Sequence, residues 1–222
     1  MQYKHPTQEI VDTLGNFSLH SEGEWSGGND LYEAFNDAGV ECEVGEFLYS
    51  MVRIMKPYRV LETGTHHGVG AMYMGLALKH NKTGVLDTYE FQTNNFETAG
   101  QNINKLGLHA IVRLHLMDVA KENFMNDKFQ LILLDTEPQT RYAEMARLYD
   151  HLDVGGFVFI HDLHRHMHQI PNEEHGFAWP FGELPKFIKE KVRDGSIRPF
   201  HFPTPRGLTG FYKVCPRDYI WT

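Results

Sequence analysis

Between Tyr58 and Gly70 the chain reads Tyr-Arg-Val-Leu-Glu-Thr-Gly-Thr-His-His-Gly-Val-Gly, an apolar strand that runs into a turn punctuated by glycines. No other stretch restricts the fold as much. Gly64, Gly68 and Gly70 give the backbone freedom to approach a ligand, and the apolar run from Ala71 to Leu78 reads as a helix whose N-terminus faces the same crevice. Strand, tight loop and helix in that order are how parallel α/β sheets present backbone to a nucleotide cofactor. A dinucleotide fingerprint G-x-G-x-x-G counted from Gly64 would need glycine where His66 and Val69 stand, so a nicotinamide-dependent oxidoreductase is missed at two positions. Adenosyl cofactors without a pyrophosphate need less glycine.

The rest of the chain repeats the alternation. Val44, Phe47, Leu48, Met51, Val52 and Met55 recur at helical spacing from Glu41 until Pro57. After the glycine loop and its helix, residues 84–90 predict a strand and 95–106 a helix. Further strands are predicted at 110–115, 129–135 and 156–162, with a helical pattern between the last two. Such alternation implies a parallel sheet. A helix over 183–192 then precedes two strands, 197–202 and 208–214, joined by a short Pro/Gly turn, which is a hairpin. Residues 15–40, rich in Gly, Ser, Asn and acids around Trp25, lack sustained periodicity, and residues 1–40 as a whole read as an irregular segment able to cap a site, ahead of one domain over 41–222.

Leu61-Glu62-Thr63-Gly64-Thr65 followed by Gly68 and Gly70 resembles motif I of the class I S-adenosylmethionine-dependent methyltransferases, and most closely the small O-methyltransferases. The resemblance covers roughly residues 41–214. It implies a Rossmann-like α/β fold: a mostly parallel seven-stranded sheet with helices on both faces and a C-terminal antiparallel hairpin. It also implies transfer of a methyl group from S-adenosylmethionine to an oxygen of a small-molecule acceptor. Glu62, Gly64, Thr65 and Gly68 then belong to the cofactor site, with His67 lining it. The family's second glycine is His66 here.

In open parallel sheets ligands sit beyond the carboxyl ends of the strands, so the residues just after each strand carry the chemistry. Glu90 closes the second strand, where a carboxylate can accept from both ribose hydroxyls. The resemblance places the family's ribose acid there. Asp118 matches an acid near the adenine amino group, and is equally a good helix N-cap. Asp135 and Asp162 end the two strands beyond the cofactor loop and form the leading catalytic pair, Asp135 also bordering the cofactor. In metal-dependent catechol-type relatives matching aspartates and an asparagine hold Mg2+, which suits hard oxygen ligands and lowers the hydroxyl pKa. Here Leu163 replaces the asparagine and His161 precedes Asp162, so a magnesium or other divalent site would draw on Asp135, Asp162 and His161. A His-Asp ending also resembles macrolide-sugar O-methyltransferases.

The run His161-Asp-Leu-His164-Arg-His166-Met-His168 raises a second use, imidazole as metal ligand or as base. In an extended chain His164, His166 and His168 share a face, whereas a helix pairs only His164 with His168. His161 or His164 as general base is the preferred reading. Phe177, Trp179 and Phe181, within a long connection over 172–185, read as a substrate lid, with ordinary core or a homodimer contact as the alternative.

A net charge of −8 and no basic run argue against nucleic acid as partner. Cys42 and Cys215, far apart, suggest neither a disulfide framework nor a thiolate zinc site, and point to reducing cytosol. No apolar run approaches membrane-spanning length. The rival readings are the oxidoreductase, a cephalosporin-hydroxylase-like enzyme on a similar frame, and a non-catalytic cofactor-binding scaffold.

Overall fold

A computed structural model describes residues 4–15, 18–21, 31–36, 39–162 and 186–214. The predicted lid over 172–185, together with Leu163, His164, His166, His168 and Cys215, lies outside them. The chain divides into two compact units, Met1–Glu122 and Asn123–Thr222.

In the first unit, helices α1 (Pro6–Leu14), α2 (Cys42–Met55), α3 (Val69–Asn81) and α4 (Thr93–Lys105) accompany strands β1 (His20–Ser21), β2 (Glu33–Ala34), β3 (Arg59–Thr63), β4 (Val85–Glu90) and β5 (Val112–Leu116). The larger strands run parallel in the order β5-β4-β3, with Glu62 opposite Thr88 and Glu90 opposite Leu116. Helix α3 is apolar on every side, and its residues from Val69 to Leu78 are all buried, as a helix without a polar face must be. Gly45 lets α2 close on it, since a Cβ there would stand 2.2 Å from the Tyr73 ring. Helix α2 stops at Met55 because Lys56 takes a left-handed conformation, φ 49°, just before Pro57.

The N-terminal stretch departs from the irregular reading. Residues 6–14 are a helix that starts on Pro6, buries Thr7, Ile10 and Leu14, and ends at the left-handed Gly15. Thr7 Oγ1 donates to Glu46 and pairs with Tyr73 Oη at 2.7 Å, which anchors α1 to α2 and α3. Two buried aliphatics are too few for a helical period to stand out in the sequence. His20–Ser21 and Glu33–Ala34 form a small antiparallel pair, also unforeseen.

In the second unit, β6 (Phe129–Leu134), α5 (Pro138–Leu148), β7 (Leu152–His161), α6 (Lys186–Arg193), β8 (Ile197–Phe202) and β9 (Leu208–Lys213) follow one another. Their strand order is β6-β7-β9-β8: β6 and β7 are parallel, and β9 pairs antiparallel with both β7 and β8. Strand β7 begins four residues before the predicted Gly156. An irregular register between Phe129 and Leu131 absorbs the extra residues, with Gly155 at φ 83°. Pro199 is tolerated because β8 is the edge strand.

The fold class is the expected one, a seven-stranded, mostly parallel mixed sheet with helices and a C-terminal antiparallel hairpin. Among the described residues no helix is long and apolar enough to cross a membrane.

Candidate functional site

The glycine loop leaves β3 at Thr63 and enters α3 at Val69. Gly64, His66 and Gly68 all adopt positive φ, at 82°, 49° and 88°. His66 thus stands in the left-handed conformation that favours glycine, at the cost that any side chain bears there. Gly64 and Thr65 both donate their N–H to Tyr89 O, at 3.0 and 3.1 Å, and Gly68 N–H closes the turn on Thr65 O at 2.8 Å. A Cβ at Gly68 would come nearest to Ala99 among the described residues, at 3.4 Å, so the need for glycine is conformational and not a collision with them. Gly68, the N-cap of α3, makes no side-chain capping hydrogen bond.

Acids hold this loop from two sides. Glu62, buried on β3, accepts from Thr88 Oγ1 at 2.5 Å; Thr88 has one hydroxyl proton, so Thr65 Oγ1 must donate to it across the 2.5 Å between them. Glu90, buried at the end of β4, accepts His66 N–H on Oε2 and Gln92 N–H on Oε1, both at 2.8 Å. Each oxygen has a further lone pair. His67 stacks its ring on His66, centroids 3.9 Å apart, and its carbonyl accepts from Asn102 Nδ2 at 3.0 Å. Glu62, Gly64, Thr65, His67, Gly68 and Glu90 are thus gathered around one loop. Asp118 is used as the N-cap alternative foresees, accepting from Ala120 N–H at 2.9 Å ahead of a 3-10 turn over Val119–Lys121.

The second unit holds the other cluster. Asp135 follows β6 and Asp162 follows β7, and because Leu134 pairs with Ile160 the two strand ends lie side by side. His161 Nδ1 is 3.1 Å from Asp135 Oδ1 and 3.7 Å from Asp162 Oδ1. A carboxylate can only accept, so Nδ1 carries the proton and donates to Asp135. The imidazole is fully buried, whereas the Asp135 side chain is 10% exposed.

Two arginines complete the cluster, and the sequence reading missed both. Arg141, on α5, reaches Asp135 Oδ1 at 3.3 Å and Asp162 Oδ2 at 3.4 Å, and also donates to the carbonyls of Thr136 and His161. Arg206, from the turn between β8 and β9, forks onto Asp162, with Nε 2.5 Å from Oδ1 and Nη2 2.8 Å from Oδ2. Burial pushes the Asp162 carboxyl up, but the neighbouring His161, the guanidinium charges of Arg206 and Arg141, and the Arg206 hydrogen bonds outweigh it and hold the group well below the usual carboxylate range. Nothing local marks either arginine: burial of a lone Arg in a Thr-Pro-Arg-Gly turn is decided by the fold.

Asp135, His161 and Asp162 offer three ligand atoms within 4.8 Å of one another, as the metal reading expects. Their charge does not suit a divalent ion. Both oxygens of Asp162 are engaged by a guanidinium, and two permanently charged arginines already balance two carboxylates.

Residues 61–163 match the model of a methyltransferase domain. No protein of curated function matches the chain. Among solved structures, the O-methyltransferase TomG of Streptomyces achromogenes, involved in tomaymycin synthesis and bound to SAM, superposes with a TM-score of 0.67. The identity is 15%, over 96% of this chain and 92% of that one. The SAH-bound O-methyltransferase of Bacillus cereus gives 0.63 at 16% identity, over 96% and 93%. An SAH-bound methyltransferase of Podospora anserina gives 0.62 at 17%, over 97% and 98%. At these identities the likeness speaks for the fold.

Proposed function

We infer that this chain, a class I methyltransferase by domain and fold, transfers a methyl group from S-adenosylmethionine to an oxygen of a small-molecule acceptor. The observation that carries the reading is the loop between β3 and α3. Three positive-φ residues, a buried helix that begins on a glycine and a strand-end acid stand within the span matched by the methyltransferase-domain model. Oxygen as the acceptor atom is supported by two of the structural neighbours, which are O-methyltransferases. The oxidoreductase reading is disfavoured by the missing fingerprint glycines.

When bound, S-adenosylmethionine supplies a methyl group already activated on sulfur, so the protein has to orient the partners and take up one proton. Glu90 would accept the ribose hydroxyls with the lone pairs that the amides of His66 and Gln92 leave over. Gly64 and Gly68 would bring backbone to the methionine end, and Glu62 would serve its amino group.

In the second unit Asp135 serves the acceptor. Its Oδ1 takes the hydrogen bonds of Arg141 and His161, which would leave Oδ2 to take up the proton of the acceptor hydroxyl. His161, which the sequence reading favours as the base itself, holds Asp135 in place from a fully buried position. The net charge of −8 supports a small molecule over a polyanion as acceptor, and the sparse cysteines support a reducing, cytosolic setting.

The test is incubation with methyl-labelled cofactor and a panel of hydroxylated, amino and thiol acceptors. Label recovered as a methyl ether or ester is the expected result. Transfer only to amines would remove the assignment of oxygen.

A further inference from the structure

Asp162 stands where a strand-end carboxylate could reach a ligand, yet both of its oxygens are taken by one side chain. The Arg206 fork meets them at 2.5 and 2.8 Å, the bidentate geometry that suits a guanidinium to a carboxylate. Arg206 is 1% exposed and Arg141 2%, so two fixed positive charges are buried among these donors. The turn that delivers Arg206 is itself built firmly: Gly207 N–H donates to both the carbonyl and the hydroxyl of Thr204 at 3.0 Å, and Thr204 is buried. Asp162 is held at φ 62°, a conformation that an aspartate adopts at some cost and keeps when its surroundings fix it.

We propose that Arg206 stands in for a divalent cation at this site, fixing and neutralising Asp162 so that the Asp135–His161–Arg141 group works without a metal. The proposal rests on the reading of that group as the acceptor side of a methyltransferase. Arg206 is on this account a positioning residue, because it acts through Asp162. The same substitution explains the neighbouring sequence: with the cation's charge supplied by arginine, no third oxygen ligand is required, and Leu163 can follow Asp162.

The experiment is a titration of the full chain with Mn2+, followed by electron paramagnetic resonance, with S-adenosylhomocysteine present. Calorimetry of S-adenosylhomocysteine binding is run on the same samples. Wild type should show only the signal of free Mn2+ up to millimolar metal. Arg206→Met exposes three donor groups with one positive charge fewer, and should bind Mn2+ more tightly by on the order of tenfold. The double variant Asp162→Asn/Arg206→Met, in which charge is again balanced, should lose that gain. Stoichiometric Mn2+ binding by wild type that Asp162→Asn abolishes would overturn the proposal, and this arm holds even if Arg206→Met does not fold. A folded Arg206→Met that binds no more Mn2+ than wild type would overturn it too. Failure of wild type to bind S-adenosylhomocysteine would instead sink the methyltransferase reading, and leaves the metal result to be judged separately.

Discussion

Replacing Glu90 by alanine should loosen the glycine loop before any cofactor is added. The carboxylate receives the amides of His66 and Gln92, both at 2.8 Å, and the first of these pins a non-glycine residue at φ 49°. A hydrogen bond to a charged group contributes about 1.5–3 kcal/mol, and only the one from His66 ties the carboxylate to the loop, since Gln92 stands at the start of α4. The His66 amide can find water once the loop opens, which favours the lower bound, about 1.5 kcal/mol. At roughly 1.4 kcal/mol per factor of ten, amide exchange at His66 should accelerate by about one order of magnitude. Hydrogen exchange of the cofactor-free protein, resolved over residues 63–70 and at Gln92, is the assay. Affinity for S-adenosylhomocysteine should fall as well, because the loop must then be ordered on binding and a ribose acceptor is gone. Glu90→Gln keeps one acceptor oxygen and should lie between. Unchanged exchange at His66 and Gln92 in a folded Glu90→Ala protein would refute the clamp.

Three further outcomes follow from the same geometry. Gly68→Ala should lower stability by about 1–2 kcal/mol through its φ of 88°, with little steric part, and a far larger fall in melting temperature would show a collision that the 3.4 Å approach to Ala99 does not provide. Asp162→Ala removes the shared counter-charge of two buried arginines and should destabilise by about 3–5 kcal/mol in denaturant titration; a loss under about 1 kcal/mol would mean that the pairing is dispensable. At Asp87, burial pushes the carboxyl up, but hydrogen bonds from His115 and Arg59 outweigh it and hold it below its ordinary value. The folded-state pKa being depressed, the stabilisation is complete above the unfolded value near 3.8 and is lost as pH falls through the folded one. The gap in melting temperature between wild type and Asp87→Asn should therefore close on acidification below about pH 4, and a gap that persists there would contradict the assignment.

Strands β3 and β6 were legible because each is an apolar run that ends at an acid, Val60-Leu61 before Glu62 and Phe129–Leu134 before Asp135. The strand-end rule then located Glu90, Asp135 and Asp162 without coordinates. Helix α1 was not legible, since its burial depends on α2 and α3, which only the fold supplies. Neither was the ionic partner of Asp162. Arg206 lies 44 residues away in a hairpin turn, and no local spacing links the two. His66 shows the opposite limit: the sequence marks it as a departure from glycine, but only the structure shows that the backbone keeps the left-handed conformation and that Glu90 secures it.

The central claim is that the loop at the end of β3 receives an adenosyl cofactor. Isothermal calorimetry of the purified chain with S-adenosylhomocysteine and, separately, with NAD tests it most directly. The account predicts a single saturable site for S-adenosylhomocysteine, weakened at least tenfold by Glu90→Ala, and no heat with NAD. Binding of NAD, or no binding of S-adenosylhomocysteine by folded protein, would contradict it.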